Sequence, residues 1–144
     1  MKRVVRWLSL ALGVLLLLGV ALLILSENGE VVVLRTVGPD GTKESRLWIV
    51  DGEQGPIVRG SPGKTWVENA RANPAVALRR GGDEWTALRA VELDDAAARA
   101  QANALMRARY GFADAVIDLF DDFDAAVTFV LVAPPPSGLN PAEP

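Results

Sequence analysis

Residues 7–25 contain no charged side chain, and Lys2, Arg3 and Arg6 stand just before them. A helix of that length spans about 28 Å, close to the hydrocarbon thickness of a bilayer. Trp7 lies where an interfacial aromatic anchor sits. Residues 1–26 are therefore expected to form one N-terminal transmembrane helix. A cleaved signal peptide is the alternative, but its apolar region is usually shorter, and Ile24-Leu25-Ser26 is a poor small-x-small cleavage site. The basic flank places the N-terminus in the cytoplasm and the remaining chain outside it, as a single-pass membrane protein.

Beyond a polar linker, residues 26–30, the pattern changes to short β-branched runs. Residues 31–37 read as a strand. Gly38-Pro39-Asp40-Gly41 is a turn, and residues 42–50 are its hairpin partner. Asp51-Gly52-Glu53-Gln54-Gly55 turns the chain again into a third strand, residues 56–59. After a helix over residues 64–72, two more strands are expected at 75–80 and 84–93, joined by Gly81-Gly82-Asp83. In the latter, Trp85, Ala87 and Arg89 alternate with Thr86, Leu88 and Ala90, so the two sets face opposite ways.

Asp94 or Asp95 can cap a helix that places Ala98, Ala102, Leu105 and Met106 on one face and stops at Gly111. A shorter helix, residues 112–120, and a closing strand, 125–132, follow. Short antiparallel strands with tight turns suggest a barrel of about six strands with accessory helices, an α+β fold of mainly β character. The Pro-rich end, residues 135–144, reads as a disordered tail.

Composition narrows the chemistry. The chain has no cysteine and no histidine. That excludes disulfides, Cys/His zinc sites, Cys nucleophiles, Ser-His-Asp triads and His-ligated haem. A net charge of −3 gives no footprint for nucleic acid. Charge is uneven: residues 35–89 carry nine basic and seven acidic side chains, and residues 92–144 three and nine. Asp118, Asp121, Asp122 and Asp124 cluster, but they lack the order of a Ca²⁺ loop and read as a solvated helix end, so no metal site is assigned.

The segment Ser61-Pro62-Gly63-Lys64-Thr65-Trp66 is the candidate for binding. It is a turn of small residues opening a helix, and Asn73-Pro74 ends that helix. Backbone N–H groups at a helix start attract anions, and Lys64, with Arg59 just before the turn, adds positive charge. The competing reading is a short surface helix that links two strands.

Four pieces together resemble the FMN-binding split β-barrels, which comprise pyridoxamine-phosphate-oxidase-like proteins and deazaflavin-dependent nitroreductases. They are Thr36-Val37-Gly38-Pro39-Asp40-Gly41; Leu47-Trp48-Ile49-Val50-Asp51-Gly52; Lys64-Thr65-Trp66 with Asn69 and Ala72-Asn73-Pro74-Ala75-Val76-Ala77-Leu78; and Arg109-Tyr110-Gly111 before the closing strand. The resemblance covers residues 33–134, within a domain bounded at 27–134. It implies a homodimer with FMN or the deazaflavin coenzyme F-420 in a cleft between subunits. It also implies that Lys64 and Thr65 contact the cofactor phosphate, with Arg59 at the preceding strand end, and that Trp48 and Trp66 lie by the ring pocket. Pro39-Asp40 stands where the nitroreductase branch has two basic residues.

A chain without His or Cys suits flavin chemistry, because the cofactor performs the hydride transfer and the protein binds and orients it. The expected function is a membrane-anchored oxidoreductase that passes hydride to a small acceptor, with a quinone suggested by the anchor. Tyr110, the chain's single tyrosine, is the candidate proton donor, set against packing at the helix end. Likewise Trp48 and Trp66 are set against a role in the core. The alternative function is a cofactor-free barrel that binds or scaffolds at the membrane.

Overall fold

The computed structural model describes residues 7, 9, 11–19, 30–118 and 125–136. By internal contacts the chain divides into two units, Met1–Glu30 and Val31–Pro144. In the first, residues 11–19 are helical. Among the described residues no helix is long and apolar enough to cross a membrane. The rest of the expected span at 7–25 lies outside the described residues, as do most of the tail at 135–144 and Asp121, Asp122 and Asp124 of the acidic cluster.

The second unit is built on six strands: β1 (Val31–Gly38), β2 (Gly41–Gly52), β3 (Gly55–Gly60), β4 (Ala75–Arg79), β5 (Trp85–Glu92) and β6 (Val127–Val132). They close into an antiparallel barrel in the order β1-β2-β3-β6-β5-β4. Closure follows from the short strands and tight turns, because a closed sheet leaves no unpaired edge. Among the described residues two helices complete the unit, α1 (Thr65–Ala72) and α2 (Ala96–Asp118).

Alternation along each strand separates two cores. Val32 and Leu34 of β1, Ile49 of β2, Val58 of β3, Val76 and Leu78 of β4, Ala90 of β5 and Phe129 and Leu131 of β6 point into the barrel. Helix α1 closes one end of that interior with Trp66, Val67 and Ala70. The opposite faces of β2, β3 and β6 present Val50, Ile57 and Val130, which Ala102, Met106 and Tyr110 of α2 cover. Each large apolar side chain so buried contributes roughly 1.5–3 kcal/mol. The expected face of the second helix is thus the one that meets the barrel.

Asp95 caps α2 by accepting the Ala98 N–H at 2.8 Å. The helical geometry breaks at Gly111, where the first stretch was expected to stop. Gly111 takes φ 50°, ψ −118°, a conformation that favours glycine, and the chain turns there into a further helical stretch ending at Asp118. The two expected helices thus follow one another directly across the kink, because glycine redirects the chain without an intervening loop.

Candidate functional site

Helix α1 is fixed to the barrel by close approach at both of its faces. A Cβ at Gly60 would clash with the Trp66 ring, and a Cβ at Gly38 with the Asn69 amide. Trp66 is 5% exposed and packs at a tilt against Phe129, with ring centroids 5.8 Å apart. Asn69 is also buried, and its amide donates to the Thr36 hydroxyl at 3.4 Å. Arg71 joins the helix to β5 through two hydrogen bonds to Glu92, at 2.7 and 2.8 Å. The hydrogen bonds from Arg71 hold the Glu92 carboxyl below its usual range.

The start of α1 is open. Lys64 is its N-cap in extended backbone, with no side-chain cap hydrogen bond. Lys64 and Thr65 are both exposed. Among the described residues Lys64 forms no ion pair; Glu68 pairs with Arg71 instead. A helix start that lacks a capping acceptor leaves backbone donors for an external anion, and a lysine beside them adds charge. These two residues fit a phosphate group.

Arg59 is not part of that seat. Its outward face on β3 meets α2, where the guanidinium is ion-paired with Asp114 and donates to the Asn103 side chain at 2.9 Å. The arginine and aspartate side chains are 6% and 2% exposed. Sequence reasoning missed Asp114 and Asn103; a polar residue on a helix face otherwise turned to the barrel was the available signal.

Trp48 and Tyr110 lie together under α2. Their rings stack at 4.6 Å with an interplanar angle of 10°. The Tyr110 hydroxyl donates to the Ile49 carbonyl at 2.6 Å and accepts the Ile49 N–H at 3.1 Å. Those groups lie just past the last β1–β2 pair, Val31↔Trp48. The tyrosine thus satisfies strand backbone where β1 has ended. Of the sequence-chosen residues, the structure brings Lys64 and Thr65 together at the helix start. It places Trp66 beneath them in the core, and sets Trp48 with Tyr110 and Arg59 with Asp114 under α2.

Within the barrel unit, neither α1 nor α2 covers the outward faces of β1, β4 and β5 among the described residues. Val31, Val37 and Val91 are 37%, 45% and 40% exposed there. Trp85 lies among them, with the Arg35 guanidinium 3.7 Å and the Arg79 guanidinium 4.8 Å from its ring centroid.

This architecture, a closed six-stranded antiparallel barrel with one helix plugging an end and another across its side, is a split β-barrel fold, shared with solved structures that include a pyridoxamine-phosphate-oxidase-like protein. The heme storage protein HutZ of Vibrio cholerae matches it with a TM-score of 0.61 at 20% identity, over 77% of this chain and 86% of HutZ. A Listeria innocua protein assigned as a pyridoxamine 5'-phosphate oxidase matches with a TM-score of 0.56 at 17% identity, over 80% of this chain and 92% of its own. A FAD-binding protein of Mesorhizobium loti matches with a TM-score of 0.51 at 19% identity, over 74% and 80% of the two chains. No family model and no curated protein sequence matches the chain.

Proposed function

We propose that this protein is a flavin- or deazaflavin-dependent oxidoreductase that passes hydride to a small acceptor. The observation that carries the reading is the open, uncapped start of α1, with Lys64 and Thr65 exposed on a helix that Trp66 and Asn69 hold rigidly. Lys64 supplies the charge and the first-turn N–H groups the donors for the cofactor phosphate; the Thr65 hydroxyl adds a further donor. A bound FMN or F-420 supplies the hydride chemistry, and the protein supplies binding and orientation. The FAD-binding protein among the structural neighbours favours flavin. HutZ stores heme, but the absence of histidine here removes a His-ligated haem.

The reading includes a homodimer formed through the uncovered faces of β1, β4 and β5. It includes an anchor at residues 7–25, with the barrel outside the cytoplasm, and a quinone-like acceptor drawn from the bilayer. A cofactor-free scaffold is the second reading, and the Arg59–Asp114 pair favours it: a basic residue beside the seat is committed to internal packing.

Titration of the full-length protein with FMN and, separately, with F-420 tests the first reading. Saturable micromolar binding that weakens about 10-fold or more in Lys64→Ala supports it, the tighter ligand naming the cofactor; a charge-assisted contact contributes about 1.5–3 kcal/mol. A folded protein that binds neither supports the scaffold.

A further inference from the structure

A cleft of about 260 Å³ opens between α2 and the barrel, beside the β2–β3 turn. The face that α2 turns to the barrel explains it. Toward the kink, Met106 and Tyr110 fill the space against Val50 and Ile57. One and two turns earlier the same face carries the small side chains of Ala102, which packs on the sheet, and Ala98, so less of the space there is filled. The gap is floored by Ile57, Val130 and Leu93 and walled by Ala98, Ala102 and Leu105. Its volume falls just below the roughly 300–1,000 Å³ of drug-sized sites, so it suits a small ligand.

The polar rim is one-sided. It consists of Asp51, Glu53 and Gln54 from the β2–β3 turn and Gln101 from α2, and no lining residue is basic. Asp51 is held by Arg80 through hydrogen bonds of 2.6 and 2.8 Å, which keep its carboxyl below the usual range, with a smaller contribution from the Arg109 charge. The Asp51 charge is therefore matched within the protein. Glu53, exposed at the mouth, remains as the carboxylate for a guest. The cleft lies at the end of β3 where the strand begins, whereas the start of α1 follows its other end at Gly60, so the two sites are distinct.

We infer that this cleft is a second binding site, which takes a small apolar molecule bearing a primary ammonium group. The apolar body fills the space beside Ala98 and Ala102, and the ammonium sits at the rim against Glu53 with the Gln54 and Gln101 amide oxygens as further acceptors. Burial of the body supplies affinity, and Glu53 supplies the preference for a cation. This inference stands apart from the flavin reading, since it uses none of the residues at the start of α1.

The test is calorimetric titration of the full-length protein in phosphatidylcholine nanodiscs, with empty discs as the blank. The probes are n-hexylamine at pH 7, n-hexanol and hexanoate. Hexylammonium is expected to bind saturably, one per chain, at least 10-fold tighter than hexanoate. Ala98→Leu, which fills the cleft, weakens hexylammonium at least 10-fold. Gln101→Trp blocks the mouth from the exposed rim and has the same effect should Ala98→Leu lower the thermal midpoint. Glu53→Gln brings hexylammonium down to the affinity of hexanol and leaves hexanol unchanged. Hexanoate binding as tightly as the amine overturns the inference. So does retained amine affinity in a folded blocking variant, or no heat above the empty-disc blank.

Discussion

Arg59 and Asp114 are 55 residues apart in sequence, yet their side chains are almost fully buried against each other. Removing one partner of such a pair leaves a charge without compensation in a low-dielectric setting. Arg59→Ala is expected to cost about 3–5 kcal/mol of stability. The double variant Arg59→Met, Asp114→Leu should recover most of that loss, as chemical denaturation would show. An equal loss in the double variant would mean that shape rather than charge is at stake. Tyr110 is the companion case. Tyr110→Phe strips partners from two buried backbone groups of Ile49 and should cost about 1–3 kcal/mol, seen as a lower thermal midpoint. Cofactor-dependent turnover is expected to be unchanged, because the hydroxyl already holds both partners inside the fold; a specific loss of turnover at full stability would restore Tyr110 as a proton donor. Neither role could be read from sequence, since an arginine at a strand end and a tyrosine before a glycine do not name distant partners.

Among the elements, α1 shows how far pattern reading reaches. Its ends were legible, because Ser61-Pro62-Gly63 cannot continue a strand and Asn73-Pro74 cannot continue a helix. The strands were legible for a similar reason: one face of each is buried, so polar and apolar residues alternate, and observed bounds fall within a residue or two of expectation. Tertiary docking was hidden. Gly60 reads as an ordinary turn residue, and only the fold shows the Trp66 ring lying where a Cβ would clash with it. Gly60→Ala should therefore displace Trp66 and loosen α1, weakening cofactor binding at least as much as Lys64→Ala while also lowering stability. Unchanged binding in that variant, by fluorescence titration, would show that the seat does not depend on how α1 is docked. Gly111 was legible as well: glycine signalled the break, and the chain turns there into the second helical stretch.

At the scale of the whole molecule, the described residues of the barrel unit cover the barrel on one flank and leave another uncovered. Helix α2 shields β2, β3 and β6, whereas β1 and β5 expose valines and Ala87 beside a half-buried, arginine-flanked Trp85. Exposed apolar side chains gathered on one face commonly mark an interaction surface. The full-length protein is expected to be a dimer in light scattering, and Ala87→Lys to make it monomeric without lowering the barrel's own melting temperature. A wild-type monomer would remove the two-subunit cleft from the account. The central claim, a phosphate seat at the start of α1, is tested most directly by comparing FMN with riboflavin, which lacks the phosphate, on the wild type and on Lys64→Ala. The account predicts that the wild type prefers FMN at least 10-fold, in keeping with about 1.4 kcal/mol or more from one charged contact, and that Lys64→Ala loses most of the preference. Equal affinity of the wild type for FMN and riboflavin, or a preference that survives Lys64→Ala, would contradict it.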